Sequence, residues 1–273
     1  MAIPVNRIKA AQAAGHPAFG VYVQDGSADN VELAAAGGLD YVILDGQHGL
    51  GGFDATLAQI RAAEASGVTP LVRIAADEPT LAMRYLDAGA LGIVVPDIAM
   101  ASQAAAMASA VRFKLGANGG TRGACPSTRA ALRSGLDWGS FVRWSNENVL
   151  LWLIVETQRG LDNFDEIVAV PGVDAYLMGT FDLSHELGVF GERSNPAVNE
   201  RFLAMARKAR ARGVPLVRSI RSSTHEGLRS EVQEWLELGA CAFGVGADRP
   251  LLRDAYASRV EAMQRALGAN AGR

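Results

Sequence analysis

Leu150–Thr157 reads LLWLIVET and Tyr176–Ser184 reads YLMGTFDLS, and each carries an apolar run that gives way to a carboxylate. The two acids, Glu156 and Asp182, stand 26 positions apart, about the length of one strand–helix–strand unit. As neighbouring parallel strands, both runs deliver their acids to the same C-terminal rim. Adjacent strands lie ~4.8 Å apart, so two such side chains can reach one hard divalent cation.

The same rhythm extends in both directions along the chain. β-like runs occur at Gly20–Val23, Tyr41–Asp45, Pro70–Ile74, Gly92–Pro96, Leu151–Val155, Ala175–Gly179, Pro215–Ile220 and Ala242–Gly246. Helical patterns lie between them, at Phe53–Ala65, Thr80–Ala88, Ala99–Phe113, Pro196–Arg212 and Thr224–Leu238. Eight strands with intervening helices predict an α/β protein of the (β/α)8 barrel type. A doubly wound open sheet is the main alternative. No composition break or linker divides the 273 residues, so one barrel domain over 1–273 is expected.

Composition narrows the partners. The net charge is −3 and no basic run is present, which argues against nucleic acid and anionic membrane. No apolar stretch approaches the ~20 residues of a membrane span, and the N-terminus lacks the layout of a secretory signal. Cys125 and Cys241 show no metal-ligand spacing, so free thiols in a cytoplasmic protein are expected. A small-molecule ligand fits best.

In barrels of this type, chemistry gathers where strands give way to the loops that follow. Those positions hold Asp45, Gln47 and His48 in VILDGQHG, Arg73 in PLVRI, Glu156, and Asp182; Asp87 lies on the helix after the third strand. Singly, each has a structural alternative as a helix cap, a salt-bridge partner or a solvated side chain. Six polar groups on one rim are harder to explain without a ligand, because burying them together is costly. A further segment, Leu115–Gly135, is long, Gly-rich and carries Arg122 and Arg129. It is expected to be an active-site loop, with these arginines as candidates for the polar tail of a substrate and a mobile surface excursion as the alternative.

Two carboxylates with water or neutral oxygen ligands suit Mg²⁺ or Mn²⁺, with Co²⁺ a further option, and not a structural zinc site. An ion held by two protein groups keeps open positions for a chelating 2-oxo acid and would act on its ketone as a Lewis acid. A nearby arginine would stabilise the oxyanion. A histidine oriented by an aspartate could move a proton, and backbone N–H groups at Phe181 and Asp182 could hold the substrate carboxylate.

With these residues in place, the chain resembles the HpcH/HpaI aldolases, metal-dependent class II pyruvate aldolases acting on 4-hydroxy-2-oxo acids. The resemblance runs from Asn6 to Leu252. Its D-G-E-H is Asp45-Gly46-Gln47-His48, its V-V-R is Leu71-Val72-Arg73, and its L-L-D-x-G is Tyr85-Leu86-Asp87-Ala88-Gly89. Its I-E-T is Val155-Glu156-Thr157, and its G-P-x-D-L-S is Gly179-Thr180-Phe181-Asp182-Leu183-Ser184. The resemblance implies that Glu156 and Asp182 are metal ligands and that Arg73 contacts the pyruvyl oxygen. It implies that His48 and Asp87 form an acid–base dyad, with Asp45, Gln47, Phe181 and Arg122 near the substrate. It also implies a hexamer, a trimer of dimers, with the segment after Pro250 exchanged between subunits.

Four features depart from the family pattern: Gln47 in place of Glu, Ile154 in place of Gln, the rewritten loop Gly116–Gly123, and the bulky Phe181. They leave the acceptor aldehyde open. Thioester cleavage of the citrate-lyase β type and oxaloacetate decarboxylation use the same enolate and are the enzymatic alternatives. A non-catalytic binding protein on the same scaffold is the third.

Overall fold

A computed structural model describes residues 3–116, 118–222 and 224–267. Eight strands form the barrel: β1 Ala18–Val23, β2 Tyr41–Asp45, β3 Thr69–Arg73, β4 Gly92–Val95, β5 Leu150–Val155, β6 Ala175–Met178, β7 Leu216–Ser219 and β8 Ala240–Ala247. Each pairs in parallel with its neighbours in chain order, and β8 pairs with β1, so the sheet is closed. The (β/α)8 expectation is met and the open-sheet alternative fails. The five helices expected from sequence are present with ends shifted by up to three residues.

Period-2 alternation divides the strand side chains into two layers. Tyr41, Ile43, Leu71, Val94, Trp152, Ile154, Ala175, Leu177, Val217 and Ala242 fill the inside of the barrel. Val42, Leu44, Val72, Ile93, Leu151, Leu153 and Leu216 face the surrounding helices. Inside, Tyr41 and Trp152 meet edge to face with ring centroids 5.2 Å apart. The Tyr41 ring occupies the space a side chain at position 20 would need, which is why β1 carries Gly20 there.

The segment expected as an active-site loop is placed differently. It follows the helix Ala101–Ala110, which has already returned the chain to the N-terminal end of the barrel. It opens with a two-residue hairpin, Lys114–Leu115 against Asn118–Gly119, and contains the short helix Arg129–Ser134. Ala117, in the rewritten family motif, lies outside the described residues.

The terminal helix Asp248–Ala266 buries none of its residues. Among the described residues no helix is long and apolar enough to cross a membrane. Cys125 and Cys241 are both free.

Candidate active site

The inner register of the strands predicts which rim residues face the barrel mouth. Tyr41 and Ile43 point inward, so Asp45 follows; Leu71 is inward, so Arg73 follows; Trp152 and Ile154 are inward, so Glu156 follows. Asp45 and Arg73 are direct register partners across β2 and β3. Their side chains form a bidentate pair, with Arg73 Nε 2.9 Å from Asp45 Oδ1 and Nη2 2.6 Å from Oδ2.

The Asp45 side chain is fully buried and takes three further donors. The N–H groups of Gln47 and His48 each donate to Oδ1 at 3.1 Å, and Gln24 Nε2 donates to Oδ2 at 2.9 Å. Burial pushes the Asp45 carboxyl up, but hydrogen bonding and charge from Arg73, then Gln24 and the His48 N–H, outweigh it and hold the pKa below its ordinary value. Asp45 was expected to touch substrate. Within this chain its oxygens accept from Arg73, from Gln24 and from the N–H groups that start the following turn, which fixes the orientation of Arg73. Arg73 also lies over the Tyr22 ring, 4.9 Å from its centroid.

Glu156 lies on the other side of the mouth and is 5% exposed. Its Oε1 accepts from the backbone N–H of Asp97 at 2.9 Å. Asp97 holds a left-handed backbone, φ 56°, a strained conformation for a non-glycine residue that clusters at functional sites. Val155 pairs with Met178 in register, which brings Glu156 against Gly179. A Cβ at Gly179 would collide with the Glu156 carboxylate, so glycine there gives the acid its seat. Asp182 stands in the first turn of the helix Thr180–Glu186. Burial first, then the neighbouring charges of Asp182 and Asp97, push Glu156 well above the usual carboxylate range, against the Asp97 N–H that stabilises its ionised form.

Arg73, Glu156, Phe181 and Asp182 line one cavity of about 360 Å³, together with Tyr22, Gln24 and Ile154. His48 is exposed on the same rim, just after β2. The side-chain oxygen of Gln47 is buried without a hydrogen-bond partner among the described residues. Sequence reasoning missed Gln24 and Asp97, although each stands one or two residues past a strand end, in VYVQD and VVPDI.

Asp87 and Arg122 are elsewhere. The helix Pro79–Ala88 starts at the mouth and runs to the opposite end of the barrel. At 1.5 Å per residue, it carries Asp87 about 12 Å along the axis away from its own first turn. There Arg122 Nη2 donates to Asp87 at 2.7 Å, and Arg122 is 6% exposed over the Phe113 ring. Within this chain Asp87 does not orient His48 and Arg122 does not reach the mouth. Arg129 is likewise committed, to Glu64.

The mouth fits a hard divalent cation. Burial and the charge of Asp182 raise the proton affinity of Glu156, and among the described residues neither acid joins an ion pair, so a cation would supply the missing countercharge. Among the described residues no group of three or more His, Cys, Asp or Glu stands together, so most of the coordination sphere would remain for water and a chelating substrate, as Mg²⁺ prefers.

Residues 18–253 match the HpcH/HpaI aldolase/citrate lyase family. The chain belongs to this family. It is therefore a carbon–carbon lyase by class, in a family that generally uses a divalent metal. One relative, a 5-keto-4-deoxy-D-glucarate aldolase from Escherichia coli, is 29% identical over 250 residues, covering 92% of this chain and 93% of the relative. A solved HpcH/HpaI aldolase/citrate lyase family protein from Burkholderia cenocepacia is 27% identical with a TM-score of 0.84, over 95% of this chain and 100% of that one. The HpcH/HpaI aldolase from Desulfitobacterium hafniense is 26% identical with a TM-score of 0.83, over 94% and 96%.

Proposed function

We propose that this HpcH/HpaI-family chain is a divalent-metal-dependent aldolase that cleaves a 4-hydroxy-2-oxo acid into pyruvate, or a similar 2-oxo acid, and an aldehyde. The observation that carries this reading is the buried Glu156 carboxylate, facing Asp182 in the cavity that Arg73 also lines. Glu156 and Asp182 would hold Mg²⁺ or Mn²⁺. Such an ion, when bound, polarises the substrate ketone and lowers the cost of the enolate.

Arg73 keeps its guanidinium in one orientation because Asp45 grips two of its nitrogens. Its remaining N–H groups are free to donate to the developing oxyanion, in a geometry that needs no reorganisation as charge builds. His48 is the group at the rim whose imidazole can both accept and donate a proton, which suits transfer at the substrate hydroxyl. The N–H groups of Phe181 and Asp182, in the first turn of their helix, have no intrahelical acceptor and suit the substrate carboxylate. The buried oxygen of Gln47 is a further acceptor for a hydroxyl. The relative named as an aldolase supports the reaction class.

We read the chain as one domain that assembles in the cytoplasm as a hexamer with exchanged terminal helices. The support for exchange is the apolar stripe of Leu252, Tyr256, Val260 and Met263, each 48–66% exposed on the terminal helix. Ending the chain at Pro250 should lower the assembled mass in light scattering.

Metal-stripped protein given Mg²⁺ or Mn²⁺ should exchange the methyl protons of pyruvate with solvent. Absence of exchange with every divalent ion tried would overturn the enolate reading.

A further inference from the structure

The cavity that holds Glu156 and Asp182 does not close behind them. Through Arg193, Ile220, Arg221 and Gly246 it opens into an outer recess of about 790 Å³. Away from the two acids, the charged groups on the cavity wall are arginines: Arg73, Arg193, Arg218 and Arg221.

The last two share one carboxylate. Arg218, 3% exposed, lies 3.2 Å from Glu231 and over the Trp235 ring, 4.4 Å from its centroid. Arg221 Nε is 3.9 Å from the same Glu231 oxygen, and Arg221 Nη2 donates to Asn199 at 3.3 Å. Burial, and then the charge of Arg221, push Arg218 down to about 10. Glu231 is thus shared between two guanidinium groups.

Arg193 adds a charge with no carboxylate of its own. Among the described residues it joins no ion pair. Its guanidinium lies 4.9 Å from the Phe181 ring centroid, and its carbonyl accepts from Arg221 Nη1. Phe181 is in turn packed on His185 at 4.9 Å, and His185 on Phe190 at 5.5 Å. The ring that departs from the family pattern is thus a platform that holds a free cation at the mouth. The acids nearby, Glu192 and Asp254, line the outer recess only and already serve Asn195 and Arg253.

We propose that Arg193, seated on Phe181 and backed by Arg221, is a specificity-determining subsite for an anionic group, carboxylate or phosphate, at the far end of the substrate. The inference rests on the reading that the 2-oxo acid end sits at Glu156, Asp182 and Arg73. Guanidinium forks match both anions in bidentate geometry, and a charge-assisted contact in a partly desolvated cavity discriminates strongly against a neutral terminus.

The test is calorimetric binding to the full-length protein with Mn²⁺, without turnover. 2-Oxoadipate is compared with 2-oxohexanoate, and 6-phosphooxy-2-oxohexanoate with 6-hydroxy-2-oxohexanoate, none of which carries the 4-hydroxyl that cleavage needs. At least one anionic ligand should bind roughly tenfold or more tighter than its neutral counterpart, and the larger ratio identifies the anion. Arg193→Gln should collapse that ratio, Arg193→Lys should restore part of it, and Phe181→Leu should weaken it. Equal binding within both pairs in the parent protein overturns the proposal, as does a ratio that Arg193→Gln leaves intact. Pyruvate methyl exchange, measured in parallel, reports on the enolate reading alone. A preserved anion preference without exchange would sink that reading and leave the subsite standing.

Discussion

The two ends of this barrel handle charge in opposite ways. At the N-terminal end each of several acids meets an arginine: Asp87 with Arg122 at 2.7 Å, and Glu64 with both Arg129 and Arg133. At the C-terminal end Asp45 and Arg73 are matched, but Glu156 and Asp182 face one another, and Asp97 bends into a left-handed backbone to donate an N–H. One end is electrostatically closed. The other is stable only at a cost that a ligand would offset. Sequence shows acids and arginines at both ends, so residue type does not separate stabilising charge from functional charge. What separates them is whether the chain itself supplies the partner.

The widest gap between the ends should appear on removing Glu156. Glu156→Gln deletes one of two protein carboxylates at the proposed metal position. It should lower pyruvate proton exchange by roughly 10³-fold or more, the equivalent of several kcal/mol of Lewis-acid stabilisation. It should also relieve the repulsion with Asp182 and leave the melting temperature unchanged or higher. A marked loss of stability, with metal response intact, would show that Glu156 is a structural acid like those at the other end.

Asp45 is the case where the C-terminal rim behaves like the N-terminal one. Asp45→Asn leaves the Arg73 guanidinium without its bidentate partner and should cost about 3–5 kcal/mol in denaturant unfolding. The pH dependence has a definite sign. The folded-state pKa of Asp45 lies below its ordinary value, so its contribution is fully present above ~pH 3.9 and is lost as pH falls through the folded pKa. Asp45→Asn should remove that part of the acid sensitivity. An unchanged acid-unfolding slope would mean that the pair adds nothing net to the fold.

The barrel was legible from sequence because it rests on two periods. Alternation within strands and spacing between them depend only on local geometry, and all eight strands fall where the apolar runs are. The same alternation carries Asp45, Arg73 and Glu156 inward, which is why the mouth could be read. Within one chain Asp87 and Arg122 lie away from the mouth for a definite reason. A helix that follows a strand moves its last turn to the far end of the barrel, and a loop that follows a helix begins there. Motif adjacency does not carry that reversal. Asp97 and Gln24 went unread because their roles come from one backbone N–H and one amide, which no pattern of charged residues announces.

Arg122 gives the next contrast. It is nearly buried, with Ser145 and Asp87 as partners. Arg122→Ala leaves Asp87 without its counter-ion and opens space against Phe113, so a loss of about 3 kcal/mol or more is expected in denaturant unfolding. Metal affinity, measured by calorimetry on the folded fraction, should stay within about twofold of the parent. A large fall in metal affinity without a fall in stability would mean the two ends are coupled.

The smallest effect expected at the closed end belongs to Arg133. It reaches Glu64 at 3.2 Å, but its side chain is 47% exposed, and Glu64 is also gripped by Arg129 at 2.5 Å from a side chain only 20% exposed. Water screens the outer arginine, and removing it leaves Glu64 paired. Arg133→Ala should therefore cost less than about 1 kcal/mol. Arg129→Ala should cost more, because Arg129 also donates to the carbonyl of Ala88 at the end of its helix, which would lose that donor along with the charge. Unfolding both variants in urea orders them directly. If Arg133 proved the more costly, the closed end would owe its stability to a surface network rather than to buried pairs, and the contrast with the mouth would have to be drawn on exposure rather than on pairing.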